Sequence, residues 1–359
     1  MRKKLLAGVM ALALCSTNMP PQTIFAGEFT SGNLEEVTEE TPEIFSDDNQ
    51  EVIEETEEEL SVFSSENVPE FSSEVNIMSA TADETEPIGI DMNDITNLNY
   101  YDSSKGIWKI TSAGSYRFNG TGNNDAPILI DHIDSGTVKV YLNNVNIHSA
   151  DRTPPLRITN TVHADVYIYL ESSNLLQSTY INSAALQIDG TTKLIIDNSP
   201  GTNGSLTANS SKHGTGIGSS GNSDLSPAFH IIIKGGAVTA SSFRSMGIGG
   251  NNSNITIKGG LVKVSSDQWC AIGGTKSNIT IDGGSVKASS RTHFGIKSSS
   301  LTINGGSVTA SSEEEPKEDI SSNQIIINGG SVKASSVSSS PTNDHGEKVT
   351  DTASQENWD

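Results

Sequence analysis

Five copies of one short pattern, spaced about 24 residues apart, occupy the C-terminal half of this chain and restrict what it can fold into. Three of them open Ile255-Thr256-Ile257-Lys258-Gly259-Gly260, Ile279-Thr280-Ile281-Asp282-Gly283-Gly284 and Leu301-Thr302-Ile303-Asn304-Gly305-Gly306; the others open at Ile231 and Ile325. Each continues with Val, a polar residue, a small apolar residue and Ser-Ser, as in Val262-Lys263-Val264-Ser265-Ser266. Alternation of this kind puts every second side chain on one side of a strand. A constant period then stacks the copies, because each one completes the core of its neighbours. The Gly-Gly pair lets the chain turn a corner at no Cβ cost.

Weaker copies upstream, Val140-Tyr141-Leu142-Asn143, Ile168-Tyr169-Leu170-Glu171 and Leu194-Ile195-Ile196-Asp197, raise the count to eight. The expected fold is all-β: a right-handed parallel β-helix solenoid of about eight rungs. One inward column runs Val140, Ile168, Leu194, Ile231, Ile255, Ile279, Leu301, Ile325, and a second runs Ile158, Ile188, Ile217, Ile248, Ile272, Ile296. A β-sandwich would not keep so constant a period.

Other features divide the chain into segments. Arg2, Lys3 and Lys4 precede an apolar run from Leu5 to Leu14 that is too short to span a bilayer, which predicts a signal peptide over 1–26 and a secreted or cell-surface location. Lipidation of Cys15 is the competing reading of that segment. Residues 27–88 hold twenty acidic residues and no Lys or Arg, so self-repulsion predicts a disordered acidic stalk. The β-helix, with an N-terminal cap near Tyr100 to Thr121, is expected over 89–340, and a disordered tail over 341–359. A formal net charge of −22 argues against nucleic acid as partner, and no second apolar stretch predicts a membrane span. Of the two cysteines only Cys270 would remain after cleavage, so packing rather than a disulfide must hold the fold.

Outward positions are where a solenoid can carry function. Aligned rung by rung, they read Lys139, Tyr141, Asn143; Tyr167, Tyr169, Glu171; and Lys193, Ile195, Asp197. Aromatic faces pack on sugar rings, and Lys selects anionic or hydroxylated ligands. Tyr141, Tyr167, Tyr169 and Lys193 are therefore the candidate carbohydrate-binding residues, with Trp269 as a separate platform paired to His293. Glu171 and Asp197, read as neighbours on adjacent rungs, and Asn143 beside them are the candidate ligands for a calcium ion. The same two carboxylates, about 5 Å apart, would also suit a retaining glycosidase, although the further acids and the cleft of such an enzyme are not evident.

The segment from Lys109 to Thr121, with Leu142-Asn143-Asn144-Val145-Asn146-Ile147 and Gly247-Ile248-Gly249-Gly250, resembles a group of clostridial surface proteins that bind carbohydrate through a pectate-lyase-like β-helix. The resemblance covers roughly residues 105–340. It implies calcium-dependent binding of acidic polysaccharide such as pectin fragments, with a polysaccharide or cell-surface glycan as partner. Three functional classes follow: a non-catalytic carbohydrate-binding protein, an adhesin or structural spacer, and a polysaccharide lyase or glycoside hydrolase.

Overall fold

The computed structural model describes residues 86–120, 125–150, 152–221, 228–314, 318–339 and 342. The expected signal peptide, nearly all of the acidic stalk and most of the C-terminal tail lie outside the described residues. What is described is a right-handed β-solenoid of about ten turns without a helix. Its strands form one sheet of 18 and another of eight.

Three parallel stacks run along the solenoid, the third only from the third turn onward. The first begins at Ile88–Asp91 and Gly114–Asn119, runs through Thr137–Asn143, Asp165–Leu170, Lys193–Asn198 and Phe229–Ile233, and continues through the later repeats. The second carries Ile107–Ile110, Ile128–Ile130, Leu156–Ile158 and Leu186–Ile188. The third is the eight-stranded sheet from Asn146–Ser149 to Ser331–Lys333. Ten turns replace the expected eight because Ile88–Asp91 pairs in register with Gly114–Asn119, which pairs in register with Thr137–Asn143. Neither lies among the eight counted copies: Gly114–Asn119 falls in the expected cap, and Ile88–Asp91 at the expected boundary between stalk and β-helix.

A band of aromatic side chains closes the N-terminal end. Trp108 and Phe118 are fully buried, Tyr101 packs on Trp108 at 4.8 Å between ring centroids, and Tyr100 meets Tyr116 edge-on at 5.8 Å. The antiparallel pairing of Tyr101–Asp102 with Ile107–Ile110 covers the outer edge of the first strand of the second stack.

In the repeats both glycines of the pair are needed, for different reasons. Gly284 has φ +83°, which an L side chain rarely adopts, while a Cβ on Gly283 would approach the Lys258 carbonyl oxygen of the preceding rung to 2.8 Å. The second serine of each Ser-Ser pair points inward and ties the next corner. Ser242 donates to the Gly214 carbonyl at 2.8 Å, Ser266 to that of Ser245 at 2.7 Å, and Ser290 to that of Trp269 at 2.6 Å. These bonds satisfy backbone carbonyls that leave the ladder at the turn. Cys270 is buried, and burial pushes its thiol up to about 12, so it acts as a small apolar core residue.

Register is where the structure departs from the alignment. Val140 is level with Ile168 as expected, but Ile168 is level with Ile196, and Leu194 with Val166. The second column slips likewise, since Leu186, not Ile188, is level with Ile217. Both slips are of two residues. Inside and outside are therefore preserved, because only an odd shift exchanges the faces, but the outward neighbours change.

Two predictions follow from packing. Ile257 is fully buried between stacked isoleucines whereas Thr256 faces outward, so Ile257→Asp is expected to cost about 3 kcal/mol or more and Thr256→Asp under about 1 kcal/mol in urea denaturation. Equal effects would refute the alternation. Asp131 is buried at a corner; burial opposes its ionisation, but hydrogen bonds from Thr159, Thr161 and His132 outweigh that and hold its carboxyl down to about 2. A carboxyl depressed in the folded state stabilises above its unfolded value near 3.9 and loses that contribution as pH falls toward about 2. Asp131→Asn is expected to flatten the loss of stability between pH 4 and 2, measured as the denaturation midpoint against pH.

Candidate functional site

The outward side of the first stack, over its early turns, carries the side chains that the sequence singled out. Arg117, Tyr141, Tyr169 and Asp197 occupy one level column on four successive strands. Lys139, Tyr167 and Ile195 occupy the adjacent one.

Tyr141 and Tyr169 stack at 4.9 Å between centroids and 21° between planes, and Tyr167 lies nearly parallel to Tyr169 at 6.0 Å. The Arg117 guanidinium sits 5.4 Å from the centre of the Tyr141 ring, a cation–π contact, and Lys234 stands 5.6 Å from that of Tyr167. Parallel stacking at rung spacing thus gives one face of Tyr141 to Tyr169 and places Arg117 on the ring as well. The ladder offers a ligand its ring edges and hydroxyls more than open ring faces.

A groove of about 250 Å³ lies against this ladder. Arg117, Lys139, Tyr141 and Tyr169 form its floor side, with Ser115, Ser199, Pro200, Glu86 and Pro87 around them. Arg117 is fixed there by Glu171: its Nε donates to both carboxylate oxygens at 3.2 and 3.1 Å, and its second terminal nitrogen to one of them at 3.0 Å. Such a forked charge-assisted contact sets orientation as well as energy. Lys139 has no acidic partner among the described residues and stands in the groove. Arg117 and Ser115 were missed as candidates. The signal was present in Gly114–Asn119, where inward Tyr116 and Phe118 make Ser115 and Arg117 outward, but that strand was read as cap rather than rung.

The remaining candidates are placed elsewhere. Lys193 is level with Asp165, and their 2.8 Å contact raises the ammonium above its usual range. It does not line the groove. Tyr167 supports Tyr169 from the side. Trp269 lies on a corner after Leu261–Ser266 rather than on a strand; it packs on His293 at 5.0 Å, with its indole nitrogen buried and without a hydrogen-bond partner.

The calcium candidates do not converge. Asn143 gives its amide to Asn119 at 3.0 Å, Glu171 is engaged by Arg117, and Asp197 is level with Tyr169 rather than with Glu171. Two residues of strand, about 6.6 Å, add to the rung spacing between the two carboxylates, and a guanidinium already neutralises one of them. These three residues do not fit a hard cation that wants six to eight oxygens, nor do the two acids keep the close separation of a retaining pair. Among the described residues no group of three or more His, Cys, Asp or Glu is placed to hold a metal ion.

Residues 104–190, the span that contains this groove's cations and tyrosines, match the family model of carbohydrate-binding domain-containing proteins. Residues 231–252 and 301–312 match a β-helix repeat. Comparison with curated proteins and with solved structures gave no match. The likeness to carbohydrate-binding clostridial proteins with a β-helix, drawn from the sequence, thus agrees with both family models and with the solenoid. A carbohydrate-binding role is supported, and a carbohydrate is the partner it implies. No helix among the described residues is long and apolar enough to cross a membrane.

The Arg117–Glu171 contact is half-sheltered, with side chains 34 % and 14 % exposed. A double-mutant cycle with Arg117→Ala and Glu171→Ala is expected to give a coupling of about 1 kcal/mol in folding stability. Coupling near zero would mean that the guanidinium is not held over the groove.

Proposed function

We propose that this chain is an exported, non-catalytic carbohydrate-binding protein that takes an acidic, pectin-like polysaccharide at the bacterial cell surface. The binding site is the groove of Arg117, Lys139, Tyr141 and Tyr169. The observation that carries the reading is Lys139: an ammonium without an acidic partner among the described residues, beside a tyrosine ladder, in the span that matches a carbohydrate-binding family.

Each part of an acidic sugar has a counterpart there. A uronate carboxylate accepts a charge-assisted hydrogen bond from Lys139. Phenol hydroxyls of Tyr141 and Tyr169 donate to or accept from ring hydroxyls. Pro87, Pro200 and the tyrosine ring edges offer apolar contact to the C–H faces of the sugar. Glu171 contributes indirectly, by holding Arg117 in place. The export part of the reading rests on Arg2 to Lys4 followed by Leu5 to Leu14.

Lys139→Glu is expected to weaken binding to polygalacturonate about tenfold or more, by removing one charge-assisted contact and adding a repulsive one. Tyr141→Phe with Tyr169→Phe, which keeps the stack and removes the hydroxyls, is expected to weaken it several-fold. Affinity electrophoresis against polygalacturonate reads both. Unchanged affinity in Lys139→Glu would remove the groove from the account.

A further inference from the structure

We infer that the eight-stranded sheet is a second polysaccharide-binding surface, on which a linear polyuronate lies along the solenoid axis. The inference rests on the carbohydrate reading above but uses none of the groove's residues.

Two independent observations point to it. The first is charge. Among the described residues no Asp or Glu projects outward from any strand of this sheet, although the chain as a whole carries −22. Its outward side chains are mostly hydroxyls and amides, with Leu175, Ala237, Leu261 and His148 among them and lysines in the central column. Lys263 is level with Lys287 on the next strand, Lys287 with Thr309, and Thr309 with Lys333. All three lysines are exposed, and none has an ion pair among the described residues.

Two lysines directly opposed at about 4.8 Å repel each other, which costs stability in a ladder. The other described charge contacts between strands match opposite signs, as in Arg117–Glu171, Arg157–Asp189 and Lys193–Asp165. The other stacked lysine pair, Lys234 and Lys258, is level with Asp197 on one side and Asp282 on the other. Lys263 and Lys287 have no such bracket, and an external polyanion supplies the missing charge.

The second observation is shape. A groove of about 400 Å³ runs along one border of the same sheet, lined by Asn209, Ser241 and Ser265 from its strands and walled by Phe243, which is 42 % exposed; its one acid, Asp267, is paired with Arg291. An exposed aromatic side chain beside hydroxyls and an amide is the composition that sugar rings pack against. Carboxylates on the lysine column and a ring against Phe243 are compatible with one chain running along the axis. A strand every 4.8 Å repeats donors along the polymer, as a polymer repeats its acids. With the tyrosine groove on another face, one molecule would hold two polysaccharide chains.

The test uses the full chain with Lys263→Glu and Lys287→Glu combined, the neutral pair Lys263→Gln and Lys287→Gln, and Phe243→Ala, each checked by circular dichroism for an unchanged fold. Binding to polygalacturonate and to inorganic polyphosphate is measured across a salt series. The acidic pair is expected to lose about tenfold in affinity for polygalacturonate and to show a flatter salt dependence, with the neutral pair between it and the parent. Phe243→Ala is expected to weaken polygalacturonate several-fold and polyphosphate not at all. No change in either lysine pair would overturn the inference. Equal losses for both polymers with no effect of Phe243→Ala would also overturn it, leaving a general attraction for polyanions. If Lys139→Glu is silent while these variants fall, the groove reading fails and this surface stands.

Discussion

Stacking of parallel strands at one fixed spacing is the constraint on which this molecule depends. Each turn lies about 4.8 Å from the next, so every side chain meets the same two neighbours for as long as the register holds. The core becomes columns of isoleucine and valine. The surface becomes columns too: Asn328 gives its amide to the Asn304 carbonyl and Asn304 to the Asp282 carboxylate, serines tie corners, tyrosines stack. A residue's chemistry is therefore decided by what stands level with it, not by its neighbours in sequence.

This constraint also locates the groove. In the C-terminal repeats, turns of nearly equal length put like residues on like positions, so the outer columns largely repeat. Upstream, Val140, Ile168 and Ile196 are each 28 residues apart, and the longer turns bring Ser199 and Pro200 beside the tyrosine ladder. The chemical variety of the tyrosine groove arises where the repeat is least regular. The family match to 104–190 falls on this part, and the β-helix repeat matches fall on the regular part.

Much of the fold was legible in the sequence because period-two alternation reports inside and outside without needing the register. Ile168 and Leu194 were both read as inward, and both are buried. Legibility stopped at the lateral neighbours. A slip of two residues leaves the parity intact, so nothing in the pattern distinguishes Leu194 from Ile196 as the partner of Ile168, and the supposed Glu171–Asp197 pair depended on that choice. Tyr141 and Tyr169 were placed correctly because no slip lies between their strands. Arg117 was missed because its strand, Gly114–Asn119, falls in the segment expected as cap. Trp269 does pack on His293, but from a corner between strands.

Lysine footprinting by reductive methylation, read by mass spectrometry with and without a galacturonate oligomer, tests the placement of the binding site most directly. Lys139 is expected to lose most of its reactivity when the ligand is present, while the exposed Lys105 and Lys276, which lie away from both proposed surfaces, react as before. Equal labelling of Lys139 with and without ligand, at a concentration that saturates binding, would contradict the account.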